Sequence, residues 1–292
     1  MKCFGCELKK NFYFPYMLLP MLGTVVLCLA APGEINEKGK EIAIFSLMLQ
    51  GGAEVAGGIE KSALCLWIRG TGGWLNVFLP LLLTFGYIIQ ISVERQSGQM
   101  KFQLIRSGNL CYCTSKVLTG ALTGGIFFVI GYVLFGVMMA TAFPSLSIFS
   151  AEEQQFYFEA FFNNAVSLYI AKRLVGAFLY GVFASLYGIG VAVVFRDKYM
   201  MLCLPFLLNY IYQQIIYKIM ITGYSRGTVS GLAESFYPGA VMELTLDKYQ
   251  FIFFAVLFLM YIGVTILFYM SVKRSGCDGQ RKYKNGTSHF IY

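Results

Sequence analysis

Two long stretches without a charged side chain limit what this chain can fold into. They cover residues 70–93 and 117–151. Each is longer than the ~20 apolar residues that an α-helix needs to cross the hydrocarbon of a bilayer. The whole chain agrees with them. It is 57% hydrophobic and only 13% charged, against ~25% charged in a soluble domain. The expected fold is therefore an all-α integral membrane protein with a single transmembrane domain. Six spans are expected, near 12–31, 73–92, 117–143, 174–195, 199–219 and 250–272. The first follows a basic start (residues 1–11, with Lys2, Lys9 and Lys10). It is too long for the 7–15-residue core of a signal peptide. Pro15 and Pro20 are tolerable within it as a kink.

Charge sets the orientation. Lys and Arg gather at both termini, in 94–116 and in Arg196-Asp197-Lys198, whereas acids gather in 32–69 and 144–173. The excess of Lys and Arg belongs inside, so both termini and 94–116 are expected in the cytoplasm. The net charge of +8 is explained by this distribution and needs no nucleic-acid partner. Among the outer segments, 42–49 and 63–68 are too short to cross and are expected at the interface. Trp67 and Trp74 are placed as an aromatic belt would be. Phe156, Tyr157, Phe158, Phe161 and Phe162 suggest a further interfacial helix. Segment 222–249, with Phe236, Tyr237-Pro238-Gly239, Ala240 and Val241, reads as a re-entrant-like loop. The tail 273–292 is basic and expected to be flexible.

The loop between spans two and three has internal order. After Gly98, Met100, Leu104 and Ile105 recur at helical spacing with Lys101 and Arg106 between them. A short amphipathic helix of this kind either docks in a groove on another protein or rests on lipid headgroups. Glu94, Arg95, Gly98, Met100, Leu104, Ile105, Ser107-Gly108, Tyr112 and Lys116 follow one another in an order that resembles the coupling-helix region of the type-two ATP-binding-cassette (ABC) exporter permeases. Gln99 departs from the usual Thr, and Ser107-Gly108 from the usual Pro. The six-span layout is similar along nearly the whole chain.

That resemblance implies a permease in a bacterial plasma membrane, paired with a second copy or a sister permease. It also implies a separate ATP-binding subunit that carries ATP and Mg. Met100, Leu104 and Ile105 would dock in the subunit's groove, Lys101 and Arg106 would orient the contact, and Glu94 and Arg95 would tie the segment to the base of span two. The contrasting expectation is a standalone scaffold or channel.

This chain itself is expected to bind no cofactor. The nearest string to a phosphate loop, at 33–41, is one residue too long and ends in Glu41. Cys3-x-x-Cys6 has no second pair with zinc spacing, and the one histidine is His289. No Asp, Glu or His falls within the six spans as bounded above, which disfavours a membrane enzyme or a proton-coupled carrier. Asn76, Gln90, Asn209 and Gln213 are the uncharged polar candidates for lining a pathway. Interhelical hydrogen bonding is their plainer role. A cavity lined by Phe and Tyr would suit lipid-like or apolar peptide cargo, and the resemblance implies an amphipathic peptide, antibiotic or lipid-like molecule.

Overall fold

The computed structural model describes residues 2–12, 14–35, 41–50, 58–148, 166–195, 197–225, 236–243 and 248–286. Five helices are long and apolar enough to cross a membrane, and the chain is a multi-pass membrane protein. They are α5 (Trp74–Gln96), α7 (Asn109–Ala142), α8 (Val166–Val194), α9 (Lys198–Ser225) and α11 (Lys248–Gly286). The expected first span is shorter, because its apolar helix α2 runs only from Phe14 to Leu29. At 1.5 Å per residue that is ~24 Å, less than the ~30 Å hydrocarbon core. Ahead of it lies the separate helix α1 (Lys2–Asn11).

Helix α11 continues into the expected tail, as far as Gly286. Residues 287–292 lie outside the described residues, as do 149–165 with the aromatic cluster around Phe156–Phe162.

Helix α8 is the centre of the bundle, packed against α5, α7, α9 and α11. Lipid tails are as apolar as leucine, so helices gain nothing from hydrophobic burial against one another. Small residues let them approach closely instead. The α7–α8 crossing shows this. A Cβ on Gly181 would stand 2.9 Å from the Gly125 Cα, and one on Gly124 would overlap the Ser185 side chain. Helix α10 (Pro238–Glu243) packs on α8. Val241 and Met242 are buried there; residues 226–235 and 244–247 of the expected re-entrant-like loop lie outside the described residues.

One end of the bundle carries an ordered layer. It contains an antiparallel hairpin of β1 (Pro32–Ile35) and β2 (Glu41–Ala43), then α3 (Ile44–Leu49) and α4 (Ala63–Arg69). This layer corrects two expectations. Segments 42–49 and 63–68 are not simply interfacial, because Ile44, Leu47, Leu66 and Trp67 are buried in the main apolar core with Tyr132, Phe135 and Met139. Trp67 does not belong to a belt. It stacks on Tyr132 at 4.4 Å and donates its indole N–H to the Tyr132 carbonyl at 3.0 Å. Trp74 remains exposed.

Arg173 holds this layer down from inside α8. It donates to the hydroxyls of Tyr132, Tyr169 and Thr71 and to the Ile68 carbonyl at the end of α4, all within 3.0 Å. A buried guanidinium must have its donors satisfied, and four oxygens do so here.

Candidate functional site

The opposite end of the bundle holds the segment singled out by its sequence. Helix α5 ends at Gln96, and Gly98 follows with φ +71°. This left-handed position just past a helix end favours glycine. A Cβ there would meet nothing within 4 Å among the described residues, so the constraint is the backbone angle rather than packing. Helix α6 (Gln99–Ser107) then runs to a second positive-φ glycine, Gly108, which opens α7. Two glycine breaks therefore bound one short amphipathic helix.

The orientation of α6 redistributes the expected docking face. Met100 and Leu104 turn inward, onto the apolar cluster that includes Tyr87, Ile91, Tyr112, Val117 and Phe268. Their spacing of four places them on one helical face, and that face is the one the chain covers itself. The outward apolar residues are Phe102, 75% exposed, and Ile105, 84% exposed. Arg106 is exposed beside them. Phe102, absent from the expected docking face, stands three residues before Ile105 and so shares its side of the helix. The Lys101 side chain lies outside the described residues.

Glu94 and Arg95 are adjacent in sequence and reach different neighbours. Arg95 donates to the carbonyls of Ala192 (2.8 Å), Phe195 and Val193. Ala192 and Val193 lie in the last turn of α8 and Phe195 just past its end, where the negative end of the helix dipole lies. Glu94 accepts from Lys116 at 2.6 Å, from the Tyr112 hydroxyl at 3.1 Å and from Lys10 at 3.3 Å. Lys116, fully buried, also donates to Glu7 on α1. Lys10 bridges Glu7 and Glu94 from the outer side.

Two carboxylates and two ammonium groups thus form a closed, charge-neutral cluster that joins α1, α5 and α7. Burial pushes the Lys10 ammonium down, but the carboxylates of Glu7 and Glu94 outweigh it and hold it above the ordinary lysine value. Gln90 donates to the Lys10 carbonyl, and Tyr87 to the Lys116 carbonyl. The roles of Glu7 and Lys10 were hidden in the sequence, where Glu7 lies 109 residues from Lys116.

The remaining polar candidates meet at one atom. Pro80 has no N–H to give the carbonyl four residues earlier, that of Asn76. Asn209 and Gln213 on α9 donate to that carbonyl at 2.6 and 2.8 Å, and Tyr180 on α8 adds a longer contact at 3.4 Å. Asn76, Asn209 and Gln213 are therefore brought together as repair of a proline break, the structural role of such residues in lipid. Asn76 Oδ1 is buried without a partner among the described residues. Gln90 lies apart from them, beside α1.

No group of three or more His, Cys, Asp or Glu side chains able to hold a metal occurs among the described residues. The Cys3 and Cys6 side chains lie outside them. At α5–α6–α7 a short helix lies between two positive-φ glycines, and its root is anchored to three neighbours. Comparison with family models, with curated proteins and with solved structures finds no match.

Proposed function

We propose that this chain is the permease subunit of an ATP-driven ABC exporter, with α1 and α6 on the cytoplasmic side. Segment 94–116 receives the motion of a separate ATP-binding subunit, which holds the ATP and Mg. The observation that carries this reading is the division of labour along α6. Its inner face is fixed to the bundle by Met100 and Leu104, its outer face offers Phe102, Ile105 and Arg106, and its root is clamped by Glu94 and Arg95. A push on such a helix passes to α7 and α8 rather than being lost in a slack loop. A second copy or sister permease completes the pathway, and the cargo is an amphipathic peptide, antibiotic or lipid-like molecule.

The rival is a standalone scaffold or channel in which Phe102 and Ile105 rest on lipid. The test is a tagged pull-down from native membranes with wild type and Ile105→Glu. Ile105 is exposed, so the substitution leaves folding intact, whereas Leu104→Glu would place a carboxylate against the core. Recovery of an ATP-binding subunit with wild type, and its loss with Ile105→Glu, is the expected result. Absence of any such subunit from both samples overturns the coupling reading in favour of the rival.

A further inference from the structure

We infer that Glu7, on the N-terminal helix, is a positioning residue for α6, acting through the buried Lys116. The inference deepens the reading of 94–116 as a coupling element, but its test does not require that reading.

Lys116 has no exposure to solvent and two carboxylate partners. One belongs to the root of α6, at Glu94. The other comes from a different part of the chain, at Glu7. An ammonium buried with one of its two counter-charges removed is left under-compensated, and removing one partner of a buried pair is far more disruptive than removing both.

The consequence travels along a short route. Glu94 is shared between Lys116 and the Tyr112 hydroxyl. Tyr112 is buried in the cluster against which Met100 and Leu104 of α6 pack. With Glu7 neutral, Glu94 becomes the only anion for both Lys116 and Lys10 among the described residues, and its hold on Tyr112 is disturbed. The docking of α6 loosens, although Glu7 is in a different helix. Lys10 belongs to the same device, since it ties the two carboxylates together. Gln90 adds a backbone anchor for α1 on α5.

The test is hydrogen–deuterium exchange on the purified full chain in lipid nanodiscs. It compares wild type, Glu7→Gln and the double variant Glu7→Gln with Lys116→Met. The expected result for Glu7→Gln is a rise of roughly tenfold or more in amide exchange in two places, the α1 peptides and those covering 99–107. The double variant removes the stranded cation, so exchange in 99–107 returns toward wild type while α1 stays loosened. That rescue separates positioning from simple loss of a helix contact. A rise confined to α1, or a rise in 99–107 that Lys116→Met does not reverse, overturns the inference, as does no change in either segment. None of these outcomes depends on an ATP-binding subunit, so failure here is distinct from failure of the pull-down.

Discussion

Substitution at Asn209 and Gln213 should cost more when Pro80 is present than when it is replaced. In the wild type the Asn76 carbonyl has lost its helical donor to Pro80 and accepts from Asn209 at 2.6 Å and Gln213 at 2.8 Å. One interhelical bond of this type is worth about 0.6 kcal/mol on average and up to about 1.7 kcal/mol. Asn209 also reaches the Val77 carbonyl at 3.2 Å. Asn209→Leu alone therefore belongs near the upper limit, at about 1.5 kcal/mol.

Replacing both Asn209 and Gln213 by leucine leaves the carbonyl with the 3.4 Å contact to Tyr180 alone. A buried acceptor left unsatisfied costs about 1–3 kcal/mol, so the pair should cost about 3 kcal/mol. Pro80→Ala returns an N–H to the Asn76 carbonyl. In that background the same double replacement should cost about 1 kcal/mol, giving a coupling near 2 kcal/mol between position 80 and the two amides. Equilibrium unfolding in mixed micelles of dodecyl maltoside and SDS measures it, with the buried Trp67 as fluorescent reporter. Equal costs in the two backgrounds would refute the view that these amides repair the proline break.

Two further outcomes follow from packing and charge. Gly181→Ala should destabilise by about 1–3 kcal/mol, because its Cβ meets the Gly125 backbone, which cannot yield. Among the described residues, Gly190→Ala meets only Val264, at 3.5 Å, and should be neutral or stabilising by up to about 1 kcal/mol from helix propensity. Thermal melts of the two variants in detergent distinguish them. Arg173→Lys keeps the charge but loses the planar fork that reaches Tyr132, Tyr169, Thr71 and Ile68 at once. Limited proteolysis should then cut within 58–72 faster than in wild type, while cleavage elsewhere is unchanged.

Much of the helical framework was legible in the charge-free runs, because a bilayer demands long uninterrupted apolar helices and tolerates few alternatives. Boundaries were less legible. Span three was expected to open at 117, yet α7 begins at Asn109. Span four was expected at 174, yet α8 is helical from Val166. In both cases a charged side chain marks the expected edge of a loop. Lys116 and Arg173 are instead buried inside helices, since each finds its oxygens on segments far away in sequence.

The candidate helix α6 was visible from Gly98 and its apolar spacing, but spacing alone does not say which face turns inward. That depended on the position of Tyr112 and its neighbours. Asn76, Asn209 and Gln213 were visible as polar residues in apolar runs. Their convergence on one carbonyl required the register between α5 and α9.

The adjacency of Glu94 and Arg95 has a consequence for building chimeras. Successive residues on a helix point about 100° apart, so one end of α5 is pinned on two sides at once, to α1 and α7 through Glu94 and to α8 through Arg95. Such a root is a tripod and not a swivel. Residues 99–107 are therefore not an interchangeable cassette. A graft that alters the angle of this helix works only if residues 94–116 and the N-terminal helix travel together, with an acceptor surface kept at the end of α8.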